Sequence, residues 1–160
     1  MLIRPALPGD IPGLNALLLQ VGQVHHEIRP DIFRNHALKY TNSELEALLS
    51  DENRPVFVAD EGGFIAGYCF CVLRCYDGTG VSTCRRELYI DDLCVDASFR
   101  GQGVARLLYD AACAHGRSLG CSFVTLNVWC GNEQAMAFYE KCGLRPRNIT
   151  MEMPLEGESC

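Results

Sequence analysis

The segment Asp96-Ala97-Ser98-Phe99-Arg100-Gly101-Gln102-Gly103-Val104-Ala105 joins an apolar stretch to a helical one. Small residues at 101, 103 and 105 let a ligand approach the backbone closely. Amide N–H groups at a helix start have no partner inside the helix, and with the helix dipole they form an anion site. Arg100 adds a positive charge beside it. Several adjacent amides suit a pyrophosphate. A P-loop would end in Gly-Lys-Ser/Thr, which this turn lacks, and a dinucleotide fingerprint would need glycine where Arg106 stands. The other reading of the same residues is an ordinary strand-to-helix turn.

The elements that must position this turn are legible from periodicity. Residues 2–6 predict a short strand. Asp10 is placed to cap a helix with Pro12 in its first turn, and Ile11, Leu14, Leu17, Leu18 and Val21 recur at helical spacing. Gly22 weakens its end, and Pro30 discourages helix at Arg29, so residues 25–31 are expected as a loop or broken helix. Thr41 and Glu44 form a capping-box pair opening a second helix, with Leu45, Leu48 and Leu49 on its buried side. Two apolar runs, 55–59 and 64–75, flank Asp60-Glu61-Gly62-Gly63 and predict a hairpin. A loop around residues 77–80 leads to a strand over 87–95. Val104, Leu107, Leu108, Ala111 and Ala112 mark an amphipathic helix that Gly120 stops. Residues 122–128 predict a strand. Asn132 caps a helix with Ala135, Phe138, Tyr139 and Cys142 inward, ended by Gly143. A last strand is expected over 149–153. The order is β-α-α-β-β-β-α-β-α-β. It implies a mixed α/β domain: a mostly antiparallel sheet with one parallel pair joined by a right-handed crossover, and helices on both faces.

With 160 residues the chain predicts one domain over residues 1–155 and a frayed tail over 156–160. Hydrophobic residues make up 48% and charged residues 21%, which excludes wholesale disorder and a fibrous rod. The net charge of −6 argues against nucleic acid as the partner, because phosphate contact wants a basic face. Twelve arginines stand against two lysines, Lys39 and Lys141, an imbalance read as compositional bias. The longest apolar run, residues 64–73, is too short for a membrane helix, and no secretory signal is seen at the N-terminus, so the expected location is the cytoplasm. The ten cysteines are scattered without a C-x-x-C pair, which favours free, mostly buried thiols. Cys69 and Cys71 point to one face of a strand, but no metal site is expected.

The pattern Arg-x-x-Gly-x-Ala, met by Arg100, Gly103 and Ala105, resembles the pyrophosphate loop of the GNAT superfamily of acyl-CoA-dependent N-acyltransferases. Two further segments resemble that family. Tyr89-Ile90-Asp91-Asp92-Leu93-Cys94-Val95-Asp96 is similar to its central strand. Leu126-Asn127-Val128 through Asn132, Ala135, Phe138, Tyr139 and Gly143 is similar to its second cofactor-binding segment. The element order also matches, and the specific motifs lie between residues 87 and 144. The resemblance implies a GNAT-like fold and acetyl-CoA as acyl donor. It implies a bulged central strand whose backbone at Leu93, Cys94 and Val95 receives the pantetheine arm. It implies cofactor contacts from Arg100, Gly101, Gln102, Gly103, Val104, Ala105, Asn132 and Tyr139.

Acetyl transfer to a primary amine needs the neutral amine, and an alkylamine with a pKa near 10 is mostly protonated at neutral pH. A nearby carboxylate can take the proton. Asp91 and Asp92 lie beside the implied acetyl site, and strand alternation sets them on opposite faces, so without distortion only one reaches the amine. Asp91 is favoured, since it aligns with an acidic position proposed as base in polyamine acetyltransferases; Asp92 is second and Glu87 a distant third. Strand-end acids or a substrate-cation site are the other readings. Tyr139 matches the family's general acid for the departing thiolate; its other reading is a core aromatic. A covalent route through Cys94 is disfavoured, and direct transfer in a ternary complex is expected. The resemblance places His25, His26, Arg29 and Phe33 where the family's first helices line the acceptor site, with Asn127 also a substrate contact; a solvated loop is the other reading. The alternative to an enzyme is a silent acyl-CoA-binding sensor. The acceptor, a small-molecule or peptide amine, is left open, and a homodimer is expected by analogy.

Overall fold

The computed structural model describes residues 1–155; the expected frayed tail lies outside the described residues. Among these residues five strands form one sheet in the order β1-β2-β3-β4-β5. They are β1 (Leu2–Pro5), β2 (Val56–Glu61), β3 (Phe64–Asp77), β4 (Cys84–Val95) and β5 (Phe123–Leu126). All pairs are antiparallel except β4–β5, the parallel pair foreseen from the β-α-β order. Among the described residues four α-helices complete the fold: α1 (Ile11–Ile28), α2 (Asn42–Leu49), α3 (Val104–Ser118) and α4 (Glu133–Lys141).

The sheet carries a core on each face. On one side Leu88, Ile90, Cys69 and Cys71 pack against Val104, Leu108 and Ala112 of α3, with Phe138 and Tyr139 of α4 at the margin. On the other, Val56, Val58, Tyr68 and Phe70 pack against Leu14, Leu17 and Leu18 of α1 and Leu45 and Leu48 of α2. Both faces of the central strands are therefore covered, which is why β2 and β3 read as continuous apolar runs rather than alternating ones. The β2–β3 turn is closed by Gly62 and Gly63, with φ of 63° and 95°, a conformation that favours glycine at both positions.

Local signals placed most boundaries. Thr41 Oγ1 accepts from the Glu44 amide at 3.2 Å while Glu44 Oε2 accepts from the Thr41 amide at 2.7 Å, the capping box expected for α2. Asn132 Oδ1 accepts from the Ala135 amide at 3.1 Å and opens α4.

Three expectations are corrected. Asp10 precedes α1 but makes no side-chain cap; its carboxylate instead takes the Leu7 amide at 2.8 Å and both terminal nitrogens of Arg4. Second, α1 runs through Gly22 and includes His25 and His26, ending only where Pro30 forces Arg29 out of the helix. Packing overrides the weak glycine signal. Third, residues 149–153 form no strand. A strand needs a neighbour for its backbone groups, and this segment pairs with none among the described residues. Ile149, Met151 and Met153 are consequently exposed.

Candidate active site

The central feature is a bulge in β4. The β3 register runs Cys71 against Ile90 and then Phe70 against Asp92, so Asp91 is the extra residue. Before the bulge, Leu88 and Ile90 face α3. Strict alternation would send Asp92 to that same face. The inserted residue shifts the parity, so Asp92 and Cys94 face α1 instead, and Asp92 meets Tyr68 there. Pairing with β5 also stops here, at Ile90 opposite Leu126. Among the described residues, none pairs with residues 91–95 on their β5 side.

The bulge is the distortion that lets both acids reach a common point, which strict alternation would allow to only one of them. Lys39 Nζ lies 3.0 Å from Asp91 Oδ2 and 3.7 Å from Asp92 Oδ2. Burial pushes the Asp92 carboxyl above its usual range. The charges of Lys39 and His25 and the Tyr68 hydroxyl, 3.1 Å away, offset that only in part. Asp91 is more open, with 29% of its side chain exposed against 7% for Asp92. Glu87 is different. It sits within the β4–β5 ladder, opposite Phe123, with Arg85 and Arg147 on the same Oε1. Burial pushes its carboxyl up, but the two guanidiniums more than offset this and hold it low, so it is committed to a structural role.

Beyond the free edge, Arg100 Nε donates to the Val95 carbonyl at 3.2 Å, so one of the three backbone positions expected for the pantetheine arm is engaged within the protein. Gly101 and Gly103 have φ of 75° and 82°, and a Cβ there would meet no atom within 4 Å; conformation, rather than crowding, requires glycine. Gly103 accepts from the amides of Arg106 and Leu107, and no side chain caps α3. The amides at the start of α3 thus remain open to an anion. Gln102 turns back to the Ser98 carbonyl at 3.0 Å. The Arg100 side chain walls an open groove of about 360 Å³ with Leu19, Gln20 and Gln23 of α1 and His36. An open edge, a glycine turn and uncapped amides in succession fit a long ligand with a pyrophosphate, such as acetyl-CoA.

On the acceptor side, the His25 ring lies 5.0 Å from Phe33, and Phe33 meets Trp129 edge-on at 5.2 Å. Burial lowers the His25 imidazole pKa, with Asp92 opposing and Lys39 adding to the shift. His26 Nδ1 is 2.7 Å from the Phe33 carbonyl and pins the loop after α1. Arg29 is bonded to Asp31 and Glu152 and stacks 5.9 Å from Trp129. His25 and Phe33 thus join the acids, whereas His26 and Arg29 are engaged in holding the loop. Asn127 is exposed just past β5.

Tyr139 lies on the α3 side of the sheet, packed on Phe138 at 5.0 Å. Burial raises its phenol pKa, and the charges of Cys69 and Asp92 push the same way, so it stays protonated. The Cys94 thiol is pushed up to about 12 by burial and donates to the Leu17 carbonyl at 3.7 Å; it is a poor nucleophile. Cys69 and Cys71 Sγ atoms are 3.7 Å apart in the apolar core.

Lys39, Tyr68 and Trp129 were not foreseen. The loop position of Lys39 and the apolar context of Tyr68 hid them. Trp129, the lone tryptophan beside the Asn127–Asn132 segment, carried a usable signal.

A sequence model described as the acetyltransferase (GNAT) family matches residues 22–144. The BH1408 protein of Bacillus halodurans, in a crystal structure of its tetramutant, is 34% identical, with a TM-score of 0.92 over 97% of this chain and all of that one. Among curated proteins, a mycothiol acetyltransferase of Propionibacterium freudenreichii is 37% identical over 52% of this chain and 25% of its own length. A glucosamine 6-phosphate N-acetyltransferase of Arabidopsis thaliana is 35% identical over 42% of this chain. The match covers 44% of that relative, so the chain spans less than half the length of either.

Proposed function

From the premise that the chain belongs to the GNAT acetyltransferase family, we propose that it transfers an acetyl group from acetyl-CoA to a primary alkylamine, directly and in a ternary complex. The observation that carries this is the bulge at Asp91: it aims two carboxylates at one point where the sheet opens, on the strand that leads to the Arg100 turn. The thioester of acetyl-CoA supplies the activated acyl group. The residues of the chain do the rest.

Asp91, the more exposed acid, holds the incoming ammonium. Asp92 takes the proton, because burial has raised its pKa toward that of a useful base. This reverses the order that alignment alone favoured. Tyr139 holds a proton for the departing sulfur from the opposite face of the sheet. His25 and Phe33 wall the amine side, and the uncapped start of α3 with Arg100 takes the pyrophosphate. The acid-lined mouth favours a cationic acceptor over a phosphorylated one. Arg29, beside the aromatic wall, is already shared by Asp31 and Glu152.

Calorimetric titration with acetyl-CoA, CoA and ATP separately, followed by thiol release on an amine panel, tests this. Binding of both CoA species and not ATP, with turnover on polyamines or alkylamines above glucosamine 6-phosphate, is the expected result. No CoA binding overturns it. CoA binding without turnover on any amine leaves the sensor reading instead.

A further inference from the structure

The amine position of this site already holds an amine. Lys39, on the segment between α1 and α2, sets its Nζ 3.0 Å from Asp91 Oδ2 and 3.7 Å from Asp92 Oδ2, and 5.4 Å from the centre of the Tyr40 ring. We propose that Lys39 is itself an acceptor: the chain acetylates its own Lys39 in cis, a step that rests on the acetyltransferase reading above.

The chemistry balances with an acyl-CoA thioester as the second reactant. Lys39 Nζ gives one proton to Asp92 and forms the new N–C bond to the thioester carbonyl. The C–S bond breaks, the sulfur leaves with the Tyr139 proton, and the second proton released by the nitrogen returns to the Tyr139 oxygen; the products are an amide on Lys39, free CoA thiol and the proton that Asp92 passes to water. Nothing is oxidised or reduced. Burial alone would lower the pKa of the Lys39 ammonium, but attraction to Asp92 and the hydrogen bond to Asp91 more than offset it and hold the proton on. Lys39 therefore reacts only if a base in the site takes that proton. The two carboxylates that hold it are the ones assigned to an external amine. Acetylation removes the charge and with it the pairing, which frees Asp91 and Asp92 for the next acceptor. The unmodified side chain accordingly competes with external amines, and the modified one does not.

The sequence makes the test clean, because Lys39 and Lys141 are the only lysines. An ammonium held on two carboxylates is the poorer target for simple chemical acylation, so Lys141 serves as an internal reference. The full chain is incubated with acetyl-CoA, and intact mass and peptide mapping follow the label over time. The expected result is one acetyl group on Lys39, appearing at least ~10-fold faster than on Lys141. Its rate constant should be unchanged on dilution of the protein, and Asp92→Asn should slow it. Lys39→Arg, which keeps the ion pair, should take no rapid label. Failure of acetyl-CoA to bind in the calorimeter overturns both this proposal and the activity. Binding with external-amine turnover but no preference for Lys39 overturns this proposal alone, as does a rate that falls with dilution.

Discussion

The Tyr68 hydroxyl donates a 3.1 Å hydrogen bond to Asp92 Oδ2 inside the core between the sheet and α1. The contact exists only because the bulge at Asp91 turns Asp92 to that face. It stabilises the ionised carboxylate and so partly opposes burial, which acts to raise the Asp92 pKa. Tyr68→Phe removes that support. The acid limb of kcat/KM should move to higher pH, and activity at the low end of the profile should fall ~2–10-fold. The fold should lose about 1 kcal/mol. A pH–rate profile paired with urea unfolding checks both, and an unmoved limb would show that Asp92 is not the titrating base.

The two acids should separate kinetically. Asp92→Asn should lower kcat by ~10²–10³, whereas Asp91→Asn should mainly raise KM for the amine. The stability effect runs the other way. The Asp92 pKa is raised in the folded state, so the native chain binds that proton more readily than the unfolded one, and acidification through the raised pKa favours folding. At neutral pH the ionised form is a cost, and Asp92→Asn should leave the melting temperature level or higher. Steady-state kinetics with a thermal melt tests this; equal kcat losses for both variants would refute the division of roles.

Tyr139→Phe should reduce kcat by about 10² while CoA affinity stays within a few-fold. The phenol is held protonated by burial, and the role proposed for it is to give that proton to sulfur. A thiol has a pKa near 8.5, so the demand is modest and the loss belongs at the low end of acid catalysis. Solvent isotope effects and CoA titration distinguish this from a packing defect, which would weaken CoA binding as well.

Arg4 joins the first strand to the start of α1 by bonding Asp10 at 2.7 and 2.9 Å and Asp60 at 2.9 and 3.0 Å. Arg4 and then the Leu7 amide hold the Asp10 carboxyl below its ordinary range, and the Gly63 amide with Arg4 does the same for Asp60. Depressed folded pKa values contribute stability that is complete above the unfolded value, near pH 4. It is lost as pH falls through the folded values. Asp10→Ala should cost about 2 kcal/mol near neutral pH and flatten the acid-induced loss of stability. Urea melts at stepped pH values between 7 and 2 measure it.

The sequence by itself determined what depends on neighbours a few residues away. Helical spacing in α3, the Thr41–Glu44 capping box, the Gly62–Gly63 hairpin and the Arg100–Gly103–Ala105 turn are local, and so were readable. The parallel β4–β5 pair followed from the β-α-β order. The tertiary structure decided what depends on register and on residues distant along the chain. One inserted residue at Asp91 shifted the face of every β4 residue after it, so alternation could not say where Asp92 points. Packing carried α1 through Gly22, against its local signal. The apolar alternation at residues 149–153 formed no strand, because a strand exists only where a partner offers its hydrogen bonds. Lys39 reached its two carboxylates from more than fifty positions away, a closeness that only the folded chain creates.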